Sequence, residues 1–273
     1  CERLPRIARE LGVDEEESAA WHDAADRMVI PYDTTLQVHP QSEGFTSHAH
    51  WDFAGTPPET YPLLLHYPYF DLYRKQVVKQ ADLVLAMHLR GDAFTQEEKA
   101  RNVDYYEALT VRDSSLSAST QAVLAAEVGY LDLAYDYLAE AALADLHDTQ
   151  GNVHSGLHIA SLAGAWIGTV AGFGGMRDHG GKLTFAPRLP PELVAITFRM
   201  CFTGSQVLVS IRPEEATYSL LYGGPLQIAH HGEALTLTPD KPVTLPIPAT
   251  PRRPAPQQPP GRAPFRRKPV LPR

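Results

Sequence analysis

Apolar residues first recur at helical spacing: Leu4, Ile7, Ala8 and Leu11, then Ala19, Ala20, Trp21, Ala24, Ala25 and Met28. The acidic run Asp14-Glu15-Glu16-Glu17 interrupts them, which predicts a helical hairpin over residues 2–27. A stretch rich in Pro, Gly, His and Thr follows over 31–61; it is too long for a simple connection and so is a candidate functional surface. Further elements are expected at 67–75, 76–89 and 95–109, the last opened by a Thr95/Glu98 capping box. Helices are predicted over 116–128 and 131–146, separated by Gly129 as a C-cap, with Leu131, Ala134, Tyr135, Leu138, Ala142 and Leu146 on one stripe. A last apolar helix spans 159–171, where Gly164, Gly168 and Gly172 would let another helix approach closely.

After Gly180-Gly181 the period becomes alternating. Short strands are expected at 182–185, 195–202, 206–211, 217–222, 227–230 and 233–237, forming an antiparallel sheet or sandwich. Helices followed by strands imply two architectures in sequence, not an alternating β/α fold. Residues 249–273 hold eight prolines and seven basic residues. That composition predicts a disordered Pro/Arg-rich tail, with a polyproline ligand or a contact to an acidic surface as the other reading.

The chain of 273 residues, 44% hydrophobic and 21% charged, has the composition of a globular protein of one or two domains. Its formal charge is −8, and the tail carries seven of the 24 Lys and Arg but none of the 32 acids, so the rest stands at −15. An acidic body excludes a nucleic-acid surface there. Cys1 and Cys201 form neither a disulfide framework nor a metal site, so a reducing, cytoplasmic setting is expected. No apolar run is long enough for a membrane span, so no membrane partner is expected. His48-x-His50 has a chelating spacing, but Glu59 and His66 do not complete a recognised set, and no metal is expected. Gly172–Gly175 follows a helix instead of linking strand to helix, which does not suit a nucleotide loop.

Two segments carry candidate chemistry. Arg112-Asp113-Ser114-Ser115-Leu116-Ser117 and His154-Ser155-Gly156-Leu157-His158-Ile159-Ala160-Ser161 each open a helix-like stretch, where hydroxyls and free amides bind oxyanions such as phosphate. The plainer alternatives are helix capping by Asp113 or Ser114 and a satisfied, partly buried His158. Upstream, Lys79-Gln80 heads an apolar run and suits the hydroxyls of a sugar; its alternative is a solvent-facing pair at a helix start.

These segments resemble those of glycoside hydrolase family 65, the inverting disaccharide phosphorylases and related trehalases. Lys79-Gln80-Ala81-Asp82, Arg112–Ser117 and Gly156-Leu157-His158-Ile159-Ala160-Ser161 carry the resemblance in the family's order, flanked by Gln41-Ser42-Glu43-Gly44-Phe45 and by 166–176. It covers about residues 30–248 and implies a mainly α, then β chain. Residues 1–180 would be the C-terminal part of an (α/α)6 toroid, 181–248 a small antiparallel β-sandwich, and 249–273 the tail. It implies that Lys79, Gln80, Gln41 and Glu43 bind sugar and that Ser114, Ser115, His158 and Ser161 bind phosphate. Inorganic phosphate is then the co-substrate, with no other cofactor, and Trp51 becomes a candidate wall for the acceptor sugar. A homodimer is common among such proteins.

The catalytic general acid, a glutamate upstream of the Gln41 segment in the family, has no counterpart here and is expected before Cys1, so the chain reads as a C-terminal fragment without a catalytic residue of its own. Phosphorolysis with inversion needs that single acid, because phosphate brings its own nucleophilic oxygen; hydrolysis needs a second carboxylate to activate water. An α-glucoside phosphorylase yielding β-glucose 1-phosphate is therefore the leading expectation. An inverting α-glucosidase or trehalase of the same family, and a non-catalytic helical scaffold with a β-module, are the alternatives.

Overall fold

A computed structural model describes residues 10–250 and 253–264. The first half of the expected N-terminal hairpin lies largely outside the described residues. Its second half is helix α1 (Glu15–Asp26), capped by Asp14, whose carboxylate accepts the Glu17 amide at 2.7 Å.

The 31–61 stretch holds only short turns and the strand β1 (Ala49–His50), which pairs in parallel with β2 (Lys75–Gln76). Side chains of a later helix pin it. Asn102 accepts the His39 amide at 2.8 Å, Arg101 donates to the Gln37 carbonyl at 3.0 Å, and Tyr106 donates to the His39 carbonyl at 2.8 Å. Satisfying loop backbone with side chains from a packed helix is what lets so long a segment stay ordered.

A single turn α2 (Tyr69–Leu72) leads to β2 and then to α3 (Asp82–Leu89). The single element expected over 76–89 is divided, with only Asp82–Leu89 helical. Val78 is extended, its amide donating to the Leu109 carbonyl at 2.9 Å and its carbonyl accepting the Val111 amide at 2.8 Å. Two β-branched residues at 77–78 favour that pairing, so Lys79-Gln80 precede the helix on an extended segment.

Helix α4 (Gln96–Glu107) opens with the predicted Thr95/Glu98 capping box. Helix α5 (Ser117–Val128) ends at Gly129, whose φ of 97° is the left-handed cap expected of glycine. Helix α6 (Leu131–Leu143) stops short of the predicted Leu146, which is exposed. Its buried residues, among them Leu133, Tyr137 and Ala141, spread beyond the predicted stripe, because α5 and α7 both pack against it. Helix α7 (Ile159–Ile167) continues as a π turn over Gly168–Phe173.

A Cβ added at Gly164 would lie 2.4 Å from the Ser119 Cβ, one at Gly168 3.6 Å from the Ala122 Cβ, and one at Gly172 3.4 Å from the Val123 Cα. The order of these contacts means that α7 runs parallel to α5, with the two N-termini at the same end of the helical layer.

Among the described residues, seven strands follow in two sheets. β4 (Ile196–Phe202), β5 (Ser205–Ile211), β6 (Glu215–Tyr222) and β9 (Val243–Pro246) make an antiparallel sheet in that spatial order. β3 (Leu183–Phe185), β7 (Leu226–His230) and β8 (Glu233–Leu237) make the second, in which β3 pairs with β7 in parallel. That pair, and β9, depart from the expectation. The alternation is clear in β5, where Ser205, Val207, Val209 and Ile211 are buried.

One core centres on Met87, Tyr106, Leu124, Ala134, Tyr137 and Phe173, the other on Phe185, Val209, Ile211, Tyr218 and Leu237; Leu189 and Phe198 pack against both. Beside that seam Glu127 of α5 accepts Lys99 of α4 at 2.6 Å and Arg177, which leads into the sheets, at 2.7 Å. Burial raises the Glu127 carboxyl, but Arg177 and Lys99 outweigh it and hold the group down at about 2.

The tail expected to be disordered returns, over 253–264, to the helical layer. Gln258 donates to Glu107 at 2.6 Å and to the Tyr137 hydroxyl at 3.0 Å, and Arg262 donates to Asp113 at 2.9 Å. Prolines lower the entropy lost on ordering, and buried polar partners supply the attraction that composition does not reveal. Residues 265–273 lie outside the described residues. Among the described residues no helix is long and apolar enough to cross a membrane.

Candidate functional site

The loop preceding α5 is stitched to the Lys79-Gln80 segment. The Ser114 hydroxyl donates to Gln80 Oε1 at 2.9 Å, and the Ser117 hydroxyl donates to the Lys79 carbonyl at 3.3 Å. The Val78 pairing with Leu109 and Val111 sets the register that makes these contacts possible. Ser115, half-buried, makes no side-chain hydrogen bond among the described residues.

The α5 start carries no side-chain cap, and neither does the α7 start at His158. Asp113 does not cap this start, whereas the Ser114 hydroxyl accepts the Leu116 amide at 3.3 Å just before α5. Asp113 instead accepts the Leu63 amide at 2.5 Å and the Arg262 guanidinium at 2.9 Å. Burial raises its carboxyl against those two partners.

At the parallel start of α7, His158 Nδ1 lies 2.6 Å from Asp145 Oδ1, and the His158 amide donates to the same carboxylate at 3.0 Å. Asp145 thereby fixes the ring. Ser161 differs from expectation. It is fully buried, and its hydroxyl donates to the Ala141 carbonyl at 3.0 Å, so its proton fastens α7 to α6 and is not offered to an anion.

A cavity of about 300 Å³ is lined by Gln41, His48, Lys79 and Gln80 with Tyr73 and Phe45. Gln41 Oε1 and His48 Nδ1, on two of its lining residues, are buried without a hydrogen-bond partner among the described residues. Lys79 also lines the adjoining hollow that reaches Asp113. Glu43 is exposed and does not line the cavity, and Trp51 is turned into a contact with Tyr67, its ring nitrogen donating to Thr56 at 2.8 Å. The structure thus brings Gln41, Lys79, Gln80 and Ser114 together and sets Glu43 apart. Among the described residues no group of three His, Cys, Asp or Glu is arranged to hold a metal ion.

The sequence matches the Glycosyl hydrolase family 65 central catalytic domain over residues 1–167 and the Glycosyl hydrolase family 65 C-terminal domain over 176–237. The chain belongs to glycosyl hydrolase family 65. An uncharacterized glycosyl hydrolase of Mycobacterium leprae is 54% identical over 98% of this chain and 34% of its own length. The α,α-trehalose phosphorylase of Thermoanaerobacter brockii is 39% identical over 86% of this chain and 30% of its own. A solved structure assigned as a kojibiose phosphorylase, from the human microbiome, superposes with a TM-score of 0.77 at 27% identity, covering 89% of this chain and 32% of that one. The chain therefore spans about a third of the length of the family 65 relatives it matches.

Sequence reasoning missed Asp145 and Arg262, which bond His158 and Asp113, and weighed His48 only as a metal ligand. Asp145 sits 13 residues before His158 at the end of a different helix, and no local pattern announces the pair.

Proposed function

We propose that this family 65 chain supplies the phosphate- and glucose-holding part of an inverting α-glucoside phosphorylase. The reaction joins an α-linked glucose disaccharide with phosphate to give β-glucose 1-phosphate and glucose. Lys79, Gln80 and Gln41 hold hydroxyls of the glucosyl ring. The Ser115 hydroxyl, the backbone amides at the α5 start and His158 Nε2 hold the phosphate, with Ser114 setting the loop against Gln80. A phosphate oxygen forms the new bond to the anomeric carbon from the face opposite the departing sugar oxygen. The departing sugar oxygen takes up a proton from a general acid as its bond to that carbon breaks.

The observation that carries the reading is the Ser114–Gln80 hydrogen bond of 2.9 Å, which couples the anion loop to the sugar cavity. Asp113 and Asp145, the carboxylates beside the two loops, are already bound by Leu63, Arg262 and His158. With the nucleophile supplied by the co-substrate, positioning and charge are what the protein contributes.

The test uses the complete reading frame that contains this chain. Ser115→Ala is expected to raise KM for phosphate by roughly tenfold, the size of one lost charge-assisted hydrogen bond, with little change in KM for the disaccharide. Equal changes in both constants would count against a phosphate role for this loop.

A further inference from the structure

The loop that bears Ser114 and Ser115 is held in place by a side chain about 150 residues away, in a segment whose composition reads as a solvated tail. Arg262 Nε donates to the Val111 carbonyl at 2.6 Å and Nη2 donates to Asp113 Oδ1 at 2.9 Å, so one guanidinium spans both sides of Arg112. Arg112 has φ of 55°, a left-handed conformation that a residue with a long side chain adopts only under external constraint. Its own guanidinium bonds Glu140 of α6 and the Arg262 carbonyl, so each arginine grips the segment that carries the other. The Arg262 guanidinium also lies 4.4 Å over the Tyr61 ring. Gln258, bonded to Glu107 and Tyr137, anchors the same strap a few residues earlier.

We propose that Arg262 is a positioning residue for the anion loop: by clamping Val111 and Asp113 it fixes the bent backbone at Arg112, and with it the direction of the Ser114 and Ser115 hydroxyls. The inference rests on the phosphate reading of that loop. The attraction has a simple source, a Pro-rich strap carrying Arg253 and Arg262 and no acid, laid on a body of net charge −15. A rigid planar fork suits this clamp because two acceptors must be met at once, which a lysine ammonium does less well. A displacement of about 1 Å at such a loop is enough to alter positioning by one to two orders of magnitude.

Arg262→Ala and Arg262→Lys, made in the complete reading frame, provide the test. Arg262→Ala is expected to raise KM for phosphate by about tenfold or more while KM for the disaccharide stays within about twofold, and Arg262→Lys to recover part of the loss. Amide hydrogen exchange of residues 111–117 is expected to speed up in Arg262→Ala. Unchanged phosphate KM, or phosphate and disaccharide constants that shift together, would overturn the inference. If the wild-type enzyme proves indifferent to phosphate, the functional reading fails separately, and exchange at 111–117 alone decides whether Arg262 clamps this loop. Unaltered exchange would then overturn it.

Discussion

Glu127 offers the sharpest test of how the two cores are joined. Its carboxylate receives Lys99 from α4 at 2.6 Å and Arg177 from the segment entering the sheets at 2.7 Å, with side-chain exposures of 5% and 12% for the two cations. Glu127→Gln keeps the shape but leaves two buried positive charges facing each other. Removing one member of a buried ion cluster costs about 3–5 kcal/mol, because the remaining charges keep their desolvation penalty without compensation. The proton affinity gives the same scale. A carboxyl moved from 4.5 to about 2 on folding corresponds to about 3 kcal/mol of stability.

Because the folded-state value is the depressed one, this contribution is fully present above pH 4.5 and is lost as pH falls toward about 2. Calorimetry at neutral pH should place Glu127→Gln roughly 6–20 °C below wild type, at about 2–4 °C per kcal/mol. The gap should close as the solution is acidified through that window. A variant within about 1 kcal/mol of wild type at neutral pH, or a gap independent of acid, would refute the reasoning.

Other outcomes follow from single contacts. Gly164→Ala drives a methyl to 2.4 Å from the Ser119 Cβ and should cost about 1–3 kcal/mol in thermal unfolding, partly recovered by adding Ser119→Gly. Asp145→Asn removes the carboxylate that orients His158 and should raise KM for phosphate by about tenfold with the melting temperature little changed; steady-state kinetics over a phosphate series checks it. Burial, then Arg177, lowers His88 from 6.5 to about 4, so its neutral form favours folding above pH 6.5 and that preference fades as pH falls toward 4. His88→Gln should flatten the stability profile across that window, as read by denaturant midpoints.

What the sequence made legible was local. Thr95 and Glu98 form their capping box three residues apart, Gly129 caps the helix just before it, and the alternation of β5 needs no distant partner to be recognised. Gly164, Gly168 and Gly172 announced a close approach, though only the structure shows that α5 is the neighbour. The misses are long-range. One element was expected over 76–89 because apolar runs suit either period, and pairing of Val78 with Leu109 and Val111 makes its first part extended. The 253–264 strap read as disorder because composition carries no information about Asp113 and Glu107, some 150 residues back. Ser161 looked like an anion ligand by motif, but a buried hydroxyl takes the nearest free carbonyl, here Ala141.

The central claim is that phosphate, not water, attacks the sugar held by Lys79 and Gln80. Incubating the protein from its complete reading frame with α,α-trehalose, kojibiose or maltose, with and without inorganic phosphate, while following the anomeric protons by NMR, tests it directly. The account predicts β-glucose 1-phosphate appearing only with phosphate and in step with free glucose. Glucose released at the same rate in its absence, with no sugar phosphate formed, would contradict it.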